Sequence, residues 1–184
     1  MTISVVIPAY NEEELLPKTL ASLYKLDRKP DEIIVVNAMS TDKTVEVAKK
    51  TGAIVITVPK STIGFSRQKG LEKATGDIVA FTDADALLPH DWLGRIERAL
   101  TSPGVVGYFG GFHVFDGPPV YKFFINSIQP IWNIFLFAVF RMPMATGQNM
   151  AFYRKLALEA GGFPPEFKMA EDIPVSDTSS RFLN

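Results

Sequence analysis

"IVAFTDADALLPHDW", residues 78–92, is the stretch on which the reading of this chain turns. The apolar run Ile78–Phe81 has the continuity of a strand covered on both faces. Two carboxylates, Asp83 and Asp85, follow at once, where such a strand should be ending. Three more runs of the same kind occur at Ile3–Ile7, Ile33–Val36 and Ala53–Val58. Helical patterns lie between them, over Glu12–Leu26, Asp42–Lys50 and Phe65–Thr75, and another follows Pro89 through "HDWLGRIERAL". This alternation predicts an α/β fold: a mainly parallel, twisted sheet with helices on both faces, Rossmann-like in its first half. Asn11, with Glu14 three residues later, reads as a capping-box start for the first helix. Ser40 and Thr41 read as caps for the second, with Asp42 at its positive end.

In an open sheet of this kind ligands bind beyond the carboxyl ends of the strands, where Asp83 and Asp85 would stand. Neighbouring carboxylates repel each other unless they reach water or share a cation. With no cysteine and only two histidines in 184 residues, any metal must be held by oxygen. Magnesium or manganese is the natural choice, shared with substrate phosphates. A net charge of −1 argues against a nucleic-acid partner. Apolar residues make up 47% of the chain, enough for a sizeable core. No basic region precedes "ISVVIP", so no signal peptide is read and a cytoplasmic location is expected.

The second half reads differently. "GVVGYFGGFHVF" is strand-like and glycine-rich, and "TGQNMAFYRKLALEAGGF" reads as a loop, a short strand and a short helix ended by glycines. Between them no charge occurs from Lys122 to Arg141. Segment 123–140 is borderline in length for a membrane span, and it contains Asn126, Asn133 and Pro130. Two short amphipathic helices split near Pro130 are expected. They would lie in a membrane interface, cover an acceptor, or pack in the core or against a second copy.

Taken together, "PAYNEEE", "VNAMSTDKT", "GFSRQKGLEKATGD", "DAD", "TGQNMAFYR", "GGF" and "AED" occur in an order and at spacings that resemble a family 2 glycosyltransferase of GT-A fold, over roughly residues 1–173. The resemblance implies an inverting transferase that moves a sugar from a nucleoside-diphosphate sugar to a saccharide or lipid-linked acceptor, with Mg2+ or Mn2+. Residues 1–115 would form the nucleotide-sugar-binding half of a single domain and 116–184 the acceptor-side half. The family commonly continues further, so a C-terminally truncated chain stays open as an alternative.

Carried over position by position, Pro8, Ala9, Tyr10 and Glu12 match the loop around base and ribose. Asn37 stands where the family usually has a base-binding aspartate, which leaves the nucleotide open. Arg67 matches a basic residue near the nucleotide. Asp85 would be the direct metal ligand, with Asp83 beside it toward ribose or a bound water, and Ala84 between them. Gly147 and Asn149 belong to the matching "TGQN" loop. Glu171 and Asp172 match the acidic pair near the acceptor, Asp172 as general base. Two alternatives stay open: a non-catalytic or truncated sugar-nucleotide-binding relative and, less favoured because "PAYNEEE" is acidic, a sugar nucleotidyltransferase.

Overall fold

Every apolar run of the first half becomes a strand. The structure, a computed structural model, describes residues 1–114, 118–140 and 147–163. Strands β1 (Ile3–Ala9), β2 (Glu32–Asn37), β3 (Ile54–Thr57) and β4 (Ile78–Phe81) run parallel to one another. Helices α1 (Leu16–Leu23), α2 (Thr44–Lys50) and α3 (Ile63–Lys73) connect them, and α4 (Trp92–Leu100) follows β4. Two more strands, β5 (Gly107–Phe109) and β6 (Met150–Tyr153), complete a six-stranded sheet of order β3-β2-β1-β4-β6-β5. β6 is antiparallel to both its neighbours and leads into α7 (Arg154–Glu159).

Alternate residues of β1 feed opposite cores. Ile3, Val5 and Ile7 pack with Leu16, Leu20, Trp92 and Ile96 on the face of α1 and α4. Val6 packs with Leu71, Phe81, Phe152 and Phe163 on the face of α3. The period of two along the strand thus fills both layers. The chain runs outward from β1 to β3, then returns to β4 on the other side of β1. The switch point therefore lies between β1 and β4.

At the amino edge of the sheet, carboxylates clasp the strand starts. The Thr2 amide donates to Asp77 and the Ile3 amide to Asp31, each at 2.8 Å. Glu32 accepts from the Ser4 hydroxyl at 2.6 Å and the Thr75 amide at 3.0 Å.

Three expectations are corrected. α1 begins at Leu16, not Glu12, because Asn11 is no cap. Asn11 takes a left-handed φ of 55°, and its Oδ1 accepts from the Thr41 amide at 2.8 Å, so its amide is used across to the next loop. α2 begins at Thr44, and Asp42 accepts from the Thr44 amide at 3.0 Å; neither Ser40 nor Thr41 caps it. Pro130 does not split the apolar segment. α5 (Pro119–Phe123) continues through a π-helical turn, Phe124–Ile128, into α6 (Gln129–Phe140). Pro130 sits in the first turn of α6, where a missing N–H costs little, and the wider π turn rephases the backbone ahead of it.

No residue of α5 or the π turn is buried, and Val120 and Ile134 are 81% and 71% exposed. The rod is tied down at Asn126, whose amide donates to the Val114 carbonyl at 2.9 Å and accepts from its N–H at 2.8 Å. Among the described residues no helix is long and apolar enough to cross a membrane.

Candidate functional site

Register brings the first loop and the aspartate loop together. Phe81 lies level with Val6, and the Thr82 amide donates to the Val6 carbonyl at 3.2 Å. Asp83 therefore emerges beside Pro8. A cleft of about 290 Å³ opens there, at the switch point, lined by Pro8, Ala9, Tyr10 and Glu12 from one side and Asp83, Ala84 and Asp85 from the other. All seven were expected at the site from the sequence.

The walls are braced from behind. The Thr19 hydroxyl donates to the Ala84 carbonyl at 2.6 Å, holding the aspartate loop to α1. Loops one and two are stitched together. The Asn11 amide donates to Ser40 Oγ at 3.0 Å, the Glu12 amide to Thr44 Oγ1 at 2.8 Å, and the Glu13 amide to Asp42 at 3.0 Å. In return the Lys43 amide donates to Glu13 at 2.9 Å.

The cleft is electronegative. Burial, and then the charges of Asp85, Asp42 and Asp83, push the Glu12 carboxyl above its ordinary value. Burial also pushes Asp42 upward, but hydrogen bonds from Thr44 and the Glu13 amide outweigh it and hold that carboxyl low. An all-oxygen donor set in a field of gathered negative charge suits a hard divalent cation. Among the described residues no three acidic or histidine side chains could enclose an ion by themselves, so Asp85 and Asp83 would supply only part of its shell.

The remaining expected residues lie elsewhere. Asn37 is buried behind the cleft; its Oδ1 accepts from the Ser40 amide at 3.0 Å and its Nδ2 donates to Thr57 at 3.3 Å. Arg67 is 1% exposed and does not line the cleft. Its guanidinium donates to Asp83 Oδ1 at 2.8 Å from below. Gly147 packs against that guanidinium. Asn149 accepts from the Trp92 indole and donates to the Gly111 carbonyl, both at 2.8 Å, joining α4 to the strand edge. Glu171 and Asp172 lie outside the described residues.

Ala38, next to Asn37 in the second loop, also lines the cleft, as do Ser61, Thr62, Ile63 and Ser66, which sequence reasoning missed. Thr62 caps α3 by accepting from the Phe65 amide at 3.2 Å, so the positive end of that helix faces the carboxylates. A Ser-Thr pair ahead of an apolar helix was the available signal. Lys60 was missed too; its ammonium stands 3.9 Å over the Tyr10 ring at the mouth.

The family described as Glycosyl transferase family 2 matches residues 4–160. Glucosyl-3-phosphoglycerate synthase of Mycobacterium tuberculosis is 36% identical over 117 residues, 56% of this chain and 36% of that protein. Among solved structures, a mannosyltransferase from Pyrobaculum calidifontis in complex with GDP-Man and Mn2+ superposes with a TM-score of 0.70 at 27% identity. That match covers 89% of this chain and 48% of the mannosyltransferase. The M. tuberculosis synthase in complex with Mn2+, UDP and glucosyl-3-phosphoglycerate gives 0.69 at 26% identity, covering 98% and 66%. The chain spans only about a third of the synthase in sequence and about half of the mannosyltransferase in structure.

Proposed function

The chain belongs to glycosyl transferase family 2 and has the GT-A fold, and from that premise we propose that it transfers a sugar from a nucleoside-diphosphate sugar to an acceptor hydroxyl or lipid phosphate with inversion at C1. The observation that carries this reading is the cleft at the β1–β4 switch point, where Tyr10, Glu12, Asp83, Asp85 and the start of α3 converge. Its relatives' complexes with nucleotides and Mn2+ support it.

Each group has a part. Tyr10, half-exposed at the mouth, offers a ring face to the base, and Lys60 above it offers positive charge to the phosphates. Asp83, held by Arg67, would accept from a ribose hydroxyl. Asp85 would hold a magnesium or manganese ion, which when bound neutralises charge developing on the departing diphosphate. The amino end of α3 adds fixed positive potential on the same side. The acceptor oxygen bonds to C1 as the C1–O bond to the diphosphate breaks, and Asp172, assigned from the family resemblance, takes the acceptor proton. An acceptor that is already an anionic phosphate needs that base less.

The exposed surface of α5 and α6 supports a finer reading: it rests on a membrane surface near a lipid-linked acceptor, with Lys122 in the last turn of α5. The test of the main reading is titration with UDP and GDP, with Mn2+ or with chelator. Native protein is expected to bind one of them far more tightly with Mn2+, and Asp85→Ala to lose that difference. Equal affinity with and without metal in native protein would count against it.

A further inference from the structure

Gly147, Arg67 and Asp83 form a stack running from the loop that enters β6 to the floor of the cleft. A Cβ added to Gly147 would fall 2.1 Å from Arg67 Nη1, 2.5 Å from Cζ and 2.6 Å from Nη2. The backbone of this loop is therefore flush against the guanidinium. Such an overlap is relieved cheaply when the neighbour can swing into solvent, but Arg67 is 1% exposed and has no such escape.

The guanidinium is also short of partners. Nη2 donates to Asp83, yet Nε and Nη1 have no hydrogen-bond partner. A buried cation with unpaired donors is expensive to hold, so its position depends on the Asp83 carboxylate on one side and the pressing loop on the other. Asp83 is 28% exposed at the other end of the stack and lines the cleft. A displacement at Gly147 is passed to Arg67 and from there to the Asp83 carboxylate it holds.

We propose that Arg67 is a positioning residue seated on Gly147: the loop entering β6 presses the guanidinium onto Asp83 and so sets how tightly the cleft holds a nucleoside diphosphate. The inference rests on reading the cleft as the donor site. Glycine at 147 is then a requirement of the site rather than of the loop, since any side chain there pushes the guanidinium off Asp83. Pre-orientation of Asp83 removes an ordering cost that binding would otherwise carry.

A double-mutant cycle tests this. UDP and GDP are titrated, with excess Mn2+ and with chelator, into native protein, Gly147→Ala, Arg67→Met and the double variant, with thermal melts to establish folding. Gly147→Ala is expected to weaken UDP or GDP binding about fivefold or more with Mn2+ and with chelator alike, because the ribose contact of Asp83 is made in both, and to have no further effect in the Arg67→Met background. Should Arg67→Met fail to fold, Arg67→Lys serves as the second background. Lysine lacks the planar fork, so most of the Gly147→Ala effect should vanish there as well. The inference is overturned if Gly147→Ala binds like native, or if it weakens binding by the same factor in both backgrounds. Native protein that binds neither UDP nor GDP overturns the donor-site reading itself, and this inference with it.

Discussion

Because Glu12 is held above its ordinary value of 4.5 by burial and by Asp85, Asp42 and Asp83, it keeps its proton in the folded chain at pH values where the unfolded chain has lost it. Stability therefore falls as pH rises through that window and is regained on acidification. In chelator, Glu12→Gln should melt higher than native protein at neutral pH, and the gap should close as pH drops toward the ordinary glutamate range. Melts of both proteins across that range would expose a constant gap, which is the contrary result. A second single-residue prediction concerns Asp172. Asp172→Asn keeps the shape and removes the proton acceptor, so UDP or GDP affinity should stay within a few-fold while transfer falls by roughly a hundredfold or more. Near-native turnover would place the base elsewhere. Tyr10, Glu12, Asp83 and Asp85 were legible because polar residues directly after an apolar run can only sit at a strand's carboxyl end. Arg67 was named from the family resemblance, but its burial was not legible, since a charge is ordinarily read as solvated. Its spacing held the clue: Arg67, Gly70, Leu71 and Ala74 fall at i, i+3, i+4 and i+7, the buried face of α3.

Helix α3 owes its closeness to the sheet to Gly70. A Cβ there would meet Val6 Cγ1 at 2.2 Å and Val36 Cγ2 at 3.2 Å, both branched side chains rooted in buried strands. Gly70→Ala must lift the helix or displace those valines, an overpacking cost of about 1–3 kcal/mol. Because α3 also carries Ser66 to the cleft and Arg67 to Asp83, urea denaturation should show the loss of stability and nucleotide titration a weaker site in the same variant. A variant as stable as native would mean the helix is not so tightly seated. The elements of the first half could be read from sequence because strands covered on both faces leave unbroken apolar runs. Their starts could not: Asn11 and Glu14 mimic a capping box, yet Asn11 hydrogen-bonds the following loop, a partner 30 residues away. The insertion of β6 between β4 and β5 was equally hidden, since no local pattern encodes which distant strand a four-residue segment will join.

At the scale of the molecule, the sheet's burial contrasts with the exposure of α5 and of the described side chains of α6. A contiguous apolar surface of this kind on a polar body marks an interaction site. If that partner is a membrane, the protein should float with vesicles containing anionic lipid and be partly released by high salt. Replacing Phe124, Ile131 and Phe135 with serine should abolish flotation while leaving UDP or GDP binding unchanged; vesicles that never retain the native protein would exclude the membrane reading. The clasps at the amino edge have a different consequence. β1 alone separates them from the cleft by about 20 Å at the usual rise per strand residue. Changes that far apart, sharing no partner, add independently. The side of the sheet held by Asp31, Glu32 and Asp77 can thus drift or be re-engineered for heat tolerance without touching donor choice, and donor choice can be evolved in the opposite loops without endangering the scaffold.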